Sequence, residues 1–221
     1  MRDVHCHILP GVDDGARTLD ESASMLRAVK LAGVTSLVCT PHCRDPYFDY
    51  DAMWAAFRSF RALSDIPVSM GFEVNVEKLR DLGMDWAPRL GCGMQEVGDV
   101  GATFLLELQT RATARDFADY ERVVFELQAL GFQVIVAHPE RYRAIQKDAR
   151  LARRLVDLGC KLQASADFVR GGRLGRERRP AKRLFEANLY SYIASDAHRP
   201  EHYLALGDAC ERFRTRGAHM R

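Results

Sequence analysis

Residues 103–138 read TFLLELQTRATARDFADYERVVFELQALGFQVIVAH. TFLLEL (103–108) and FQVIVAH (132–138) are short, nearly continuous apolar runs, the pattern of strands buried on both faces. Between them, DFADYERVVFELQALG (116–131) spaces its apolar residues for one helix face and ends on a glycine. Strand, amphipathic helix and strand make a βαβ unit, whose two strands lie parallel under a right-handed crossover.

The alternation continues outward. Downstream come a helix in ARLARRLVDLG (149–159), a strand in CKLQASA (160–166) and a helix in RPAKRLFEAN (179–188). A strand opens YSYIASDAH (190–198), and a last helix covers 200–214. Upstream, IPVSMGFEVNV (66–76) and VTSLVCT (34–40) read as strands, and FDYDAMWAAFRSFRAL (48–63) as a helix. A Thr18-Leu-Asp-Glu21 capping box opens a helix that stops near Gly33. With the opening RDVHCH, about seven strands alternate with helices, which implies an α/β architecture with a covered parallel sheet. An open doubly wound sheet and a closed barrel both satisfy this pattern. The chain has 221 residues, 47% of them hydrophobic, and no linker or composition break divides it. It reads as a single domain over 1–215 with a polar tail, RGAHMR (216–221).

A net charge of +2 gives no electrostatic case for bulk nucleic-acid binding. Arginines nevertheless cluster in RGGRLGRERRPAKR (170–183). This is either a solvated basic loop or a patch that recruits an anionic substrate or a membrane surface. No apolar run of about 18 residues predicts membrane insertion. The N-terminus lacks the apolar stretch of a signal peptide. Six cysteines without a C-x-x-C pair read as reduced thiols of a cytoplasmic protein.

The polar residues fall where chemistry is expected, at the carboxyl ends of parallel strands. Strand one ends in His5 and His7, the next in Thr-Pro-His42. Glu73 sits in GFEVNV and Glu107 in LLEL, costly places for a lone carboxylate. His138 closes AHPER, and Asp196 and His198 close SDAH. Each alone has an ordinary structural reading, but their recurrence at successive strand ends points to a metal centre. The set is imidazole and carboxylate without thiolate, suited to manganese, iron or zinc. It is too large for one tetrahedral ion, and multinuclear centres activate water and clamp phosphoryl oxygens. Residues i and i+2 of a strand share a face, so His5 and His7 can grip one ion while Cys6 points away.

His5-x-His7, Thr-Pro-His42, a mid-chain glutamate, HPERY (138–142) and SDAH (195–198) together resemble the PHP superfamily of polymerase and histidinol phosphatase domains. HCHILPGVDDGARTLDES (5–22) is similar to one branch, the bacterial metal-dependent protein-tyrosine phosphatases of capsule and exopolysaccharide synthesis. The resemblance covers nearly the whole chain in order. It implies a distorted (βα)7 TIM-like barrel holding three divalent ions, Mn2+ first, with iron or zinc as alternatives. It puts His5, His7, Glu73 and Asp196 around one ion, and Asp14, His42 and His198 around a second. Glu107 and His138 take the third, bridged by Glu73, and Asp13 stands behind the ligands or in the turn. Arg141 takes the position that grips phosphate, and Arg199 and Arg44 are weaker matches for further phosphate contacts. The implied reaction is phosphotyrosine hydrolysis by a metal-bridging hydroxide, with Asp14 or His198 assisting as acid. The implied partner is a phosphotyrosine protein, such as a bacterial tyrosine kinase.

Three other readings stand beside it. The same centre could serve histidinol phosphate or another small phosphoester. The chain could be a non-catalytic, metal-stabilised phosphoprotein-binding module. Finally, Cys210 to Arg216 fits the C-x5-R spacing of thiol phosphatases, although it lacks the small residues of an anion-cradling loop and reads as a helix end.

Overall fold

The computed structural model describes residues 1–172 and 175–214. Its strands are β1 Arg2–Cys6, β2 Ser36–Cys39, β3 His42–Cys43, β4 Val68–Met70, β5 Glu73–Asn75, β6 Thr103–Glu107, β7 Gln133–Ala137, β8 Lys161–Ser165 and β9 Tyr192–Ala194. Every strand pair in the two sheets is parallel. β2 and β3 are halves of one strand interrupted at Thr40-Pro41, and β4 and β5 are halves of another interrupted at Gly71-Phe72. Among the described residues, nine short strands thus occupy seven positions.

The breaks divide the ladder into two sheets, β1-β2-β4 and β3-β5-β6-β7-β8-β9. Backbone bonds from Gly71 N to Cys39 O (2.9 Å) and from Glu73 N to Pro41 O (3.1 Å) carry the pairing across the interruption. Gly71 is required there, because a Cβ would stand 2.6 Å from Cys92 Sγ. At the opposite seam the last strand meets the first in one isolated bridge, Cys6 with Ala197. His7 N donates to Ala197 O and Asp196 N to His5 O, both at 2.9 Å. The seven positions follow barrel order, but a continuous closed ladder is absent among the described residues. The expected barrel is therefore distorted at identifiable places, where backbone is diverted to the site.

The helices are α1 Leu19–Leu31, α2 Tyr50–Leu63, α3 Val76–Leu82, α4 Ala87–Leu90, α5 Phe117–Ala129, α6 Arg143–Lys147, α7 Arg150–Asp157, α8 Arg178–Glu186 and α9 His202–Arg214. α3, α4 and α6 are too short to show a helical period, and the sequence alone did not reveal them. Thr18 caps α1 by accepting from Glu21 N at 3.2 Å. The other half of the capping box does not form: the Glu21 carboxylate turns to Arg17, taking its backbone N at 2.8 Å and its guanidinium.

Strand alternation sorts the side chains. Phe104, Leu106, Val134 and Val136 pack outward into the main core with Val124 and Leu127 of α5. Leu105, Ile135 and Ala137 face inward with Val38 and Cys92. Glu107 lies two residues beyond Leu105, so it shares the inner face at the strand's carboxyl end. Among the described residues no helix is long and apolar enough to cross a membrane.

Candidate metal centre

The nine residues singled out as ligands come together, most of them at or beyond the carboxyl ends of β1, β6, β7 and β9, while His42 and Glu73 open β3 and β5 just after the strand breaks. Their ligand atoms form four overlapping groups, each within 4.8 Å: His7-Asp14-His42-His198, His5-His7-Asp196, His5-Glu73-His138 and His42-Glu73-Glu107. Glu107 and His138 stand in different groups, each with Glu73, rather than as a pair on one ion. The cause is the Glu73 carboxylate, whose Oε1 lies 2.6 Å from His138 Nε2 while Oε2 turns to His42 Nδ1 at 2.7 Å.

Two local devices aim these groups. Residues i and i+2 of β1 and its extension bring His5 Nε2 and His7 Nε2 to 3.2 Å. His138 (φ 29°) and Asp196 (φ 48°) adopt left-handed backbone, uncommon for residues bearing a side chain, which turns each strand end into the site.

The rings are held from behind. Gln163 Oε1 stands 2.9 Å from His5 Nδ1, and Asp13 Oδ2 stands 2.8 Å from His7 Nδ1. Both partners are acceptors, so each neutral ring keeps its proton on Nδ1 and turns an Nε2 lone pair inward. Glu73 Oε2 and Asp196 Oδ1 each lie 3.4 Å from both Nε2 atoms. Each carboxylate oxygen thus approaches both imidazole lone pairs. Donors about 2.1 Å from a common ion are separated by about 3.0 to 3.4 Å, in octahedral or tetrahedral geometry. The residues present fit a divalent cation. His138 Nδ1, also buried, has no hydrogen-bond partner among the described residues.

The electrostatics make the same demand. Burial pushes the His5 imidazolium down, but Glu73 and Asp196 outweigh it and the pKa rises above its ordinary value. His7 rises well above its own against the same burial, driven by Asp13. Burial alone would raise Glu73, yet His5 and His42 hold its carboxyl well below the usual range. Arg141 and His5 do the same for Asp196. His7 holds Asp13 down to about 2 against burial. A cluster that draws protons onto buried imidazoles requires positive charge, which divalent ions supply.

A model of the family described as capsular polysaccharide synthesis, CpsB/CapC, matches residues 1–215. The chain belongs to the CpsB/CapC family. It is 30% identical over 206 residues to tyrosine-protein phosphatase YwqE of Bacillus subtilis, covering 90% of this chain and 77% of that one. It is 26% identical to the putative tyrosine-protein phosphatase CapC of Staphylococcus aureus, with the same coverages. Among solved structures, it matches those of YwqE from Bacillus subtilis and CpsB from Streptococcus pneumoniae, described as unique metal-dependent tyrosine phosphatases. The TM-score is 0.76 at 26% identity, over 100% of this chain and 89% of that chain. A β-aspartyl dipeptidase from Fervidobacterium islandicum, at 13% identity and TM-score 0.55, shares the fold alone.

Within this CpsB/CapC scaffold the three arginines differ. Arg141, in HPERY, is 8% exposed and reaches Asp196 Oδ2 at 2.5 Å and Ser165 Oγ at 3.1 Å. Its buried Nε has no hydrogen-bond partner among the described residues. Arg44 places one nitrogen 2.8 Å from His42 Nε2 and another 3.5 Å from Glu107 Oε1. Arg199 directs one nitrogen at three backbone oxygens, Asp14 (3.1 Å), Gly15 and His198. It ties the turn carrying Asp14 to the strand end carrying His198, a positioning role that the sequence did not show.

Several supporting residues also escaped the sequence. Gln163 had a signal, a polar residue in the apolar run CKLQASA. Asp3 is buried and accepts from Ser195 N (3.0 Å) and Ser195 Oγ (2.6 Å), which fixes SDAH against β1. Asn75 donates to Glu107 Oε2 at 3.1 Å. In HPERY, Glu140 accepts from Ser165 N and Tyr190 Oη, and Tyr142 Oη bridges Ala137 O and Leu108 N. Cys210 is buried on α9, a helix rather than an anion-cradling loop, and Arg216 lies outside the described residues, as does the tail 216–221.

Proposed function

We propose that this chain is a metal-dependent protein-tyrosine phosphatase, a phosphoric monoester hydrolase of the cytoplasm that acts in capsule or exopolysaccharide synthesis. The observation that carries the reading is the gathering of His5, His7, Asp196, Glu73, His138, His42, Glu107, Asp14 and His198 into four overlapping ligand groups. These nine residues would hold up to three divalent ions, manganese first and iron or zinc as alternatives. When bound, such ions lower the pKa of water and neutralise phosphate oxygens.

The chain's own groups do the rest. Arg141, held by Asp196 and Ser165, presents a planar fork to the substrate phosphate. Arg44, beside His42 and Glu107, would supply a further phosphate contact. Gln163 and Asp13 lock two imidazoles so that binding requires little reorganisation. Asp14 Oδ1 lies 3.2 Å from both His198 Nε2 and His42 Nε2, and Asp14 or His198, where not occupied by an ion, would assist as acid at the leaving oxygen. A tyrosine phenolate is a stable leaving group that needs little such help. A phosphorylated tyrosine kinase that regulates the same polymer is the substrate this reading favours.

The test is hydrolysis of p-nitrophenyl phosphate, a phosphotyrosine peptide and histidinol phosphate, with Mn2+, with chelator, and in His138→Ala. Chelator-sensitive cleavage of the peptide, lost in the variant, is the expected result. Preference for histidinol phosphate would move the substrate, and no turnover despite bound metal would leave a binding module.

A further inference from the structure

A cavity of about 390 Å³ opens beside Arg141, lined by Thr110, Arg111, Arg141, Arg143, Gln146 and Arg176. Its walls come from the segments that follow β6, β7 and β8, with Arg143 and Gln146 on α6, on the face that carries the metal cluster. Arg143 N donates to Thr110 O at 3.0 Å, joining the first two segments. Arg176 N donates to the side chain of its neighbour, at Glu177 Oε2 (2.8 Å), just before α8. The volume suits a small ligand group, but the lining is guanidinium instead of the usual apolar surface.

Among the described residues that line the groove, Arg141 is paired with Asp196 and with Asp167 (3.4 Å), while the other three arginines are not paired. Elsewhere some exposed arginines take carboxylates, as in Arg17–Glu21, Arg80–Glu77 and Arg154–Glu121, and others, such as Arg61 and Arg153, take backbone oxygens. No ion pair holds Arg111, Arg143 or Arg176 among the described residues, and no carboxylate lines the cavity. A concave surface of one sign focuses the field and concentrates anions. Arg141 belongs to both places: one nitrogen meets Asp196 of the centre, while its buried Nε has no hydrogen-bond partner. An anion in the groove is therefore contiguous with a phosphate at the centre.

We infer that the groove of Arg111, Arg143 and Arg176 selects phosphotyrosine substrates carrying further anionic groups beside the scissile phosphate. The anion is a carboxylate or a second phosphate on the same peptide, chemistry that guanidinium forks match. The inference rests on the phosphatase reading and adds its substrate class. Each exposed ion pair contributes a factor of roughly 1.5 to 5, so three engaged together give about tenfold.

The experiment compares kcat/KM for three peptides, with the phosphotyrosine flanked by Glu, by Gln, or by a second phosphotyrosine. p-Nitrophenyl phosphate is the reference. Either anionic peptide should exceed the Gln peptide by about tenfold at low ionic strength, with the margin shrinking as salt rises. The larger gain identifies the anion. The margin should vanish in Arg111→Gln/Arg143→Gln/Arg176→Gln. Peptides bearing a non-hydrolysable phosphonate should show the same ranking in affinity, without turnover. Equal kcat/KM for all peptides in the wild type overturns the groove and leaves the phosphatase standing. Equal peptide affinities with tight binding to phosphatidylglycerol vesicles also overturn it, reassigning the arginines to a membrane. No turnover of peptide or reference with Mn2+ removes the phosphatase reading itself.

Discussion

Replacing Gln163 by Leu tests how the centre is held. Gln163 Oε1 faces His5 Nδ1 at 2.9 Å, and its own amide nitrogen donates to Ala164 O at 2.8 Å, which fixes which end points at the ring. Leucine preserves approximate volume and removes the acceptor. His5 and Gln163 are both 0% exposed, so water cannot take over the bond. Leaving the Nδ1 proton buried and unpaired costs about 1 to 3 kcal/mol. The alternative, moving the proton to Nε2, removes the lone pair that faces Glu73 and Asp196. At about 1.4 kcal/mol per factor of ten, the expected loss in metal affinity is near thirtyfold. Titration with buffered Mn2+, read by calorimetry and by recovery of p-nitrophenyl phosphate turnover, measures it. Thermal unfolding in chelator confirms that the variant folds, and Gln163→Glu, which keeps an oxygen on Nδ1 but sets its second oxygen against Ala164 O, should recover part of the affinity lost in Gln163→Leu. A folded Gln163→Leu with wild-type Mn2+ affinity would refute the claim that this bond orients a ligand.

Burial pushes the Glu140 carboxyl up to about 7, against Arg141 and the donors Ser165 N and Tyr190 Oη. The native group holds its proton while the unfolded one, near 4.5, releases it, so stability falls between about pH 4.5 and 7. The full effect is about 3 kcal/mol. Urea midpoints at pH 5 and 8 should diverge more in wild type than in Glu140→Gln, and identical pH dependence would sink the argument. A Cβ on Gly15 would overlap His7 O and stand 2.6 Å from His7 Cβ. Gly15→Ala should therefore lower Mn2+ affinity by more than tenfold while circular dichroism reports a folded chain. Arg44 stands 2.8 Å from His42 Nε2, where it competes with any ion on that nitrogen. Arg44→Ala should raise Mn2+ occupancy at sub-saturating metal severalfold by elemental analysis, and reduced occupancy would show that the guanidinium supports the site.

What local periodicity can encode was legible. The alternation of apolar runs with amphipathic helices specified parallel α/β structure, because each pattern serves its own backbone geometry. The i, i+2 spacing of His5 and His7 put both rings on one face for the same reason. The placement of Glu107 and His138 at strand ends pointed to one site, since carboxyl ends of parallel strands share a face of the molecule, whereas Glu73 joins them from the start of β5, after the break. The helices at Val76–Leu82, Ala87–Leu90 and Arg143–Lys147 left no such trace. The strand breaks at Thr40-Pro41 and Gly71-Phe72, which divide the sheet, were equally silent. Gln163 meets His5 across 158 residues, and Glu73 meets His138 across 65. Arg199 turns to the backbone of Asp14 and Gly15 rather than outward, and three separate segments assemble the arginine groove. Such contacts depend on strand order, register and the direction of loop side chains, which no local spacing contains. The sequence by itself determined which chemical groups the protein owns and the face on which they gather, while only the tertiary structure decided which atom meets which.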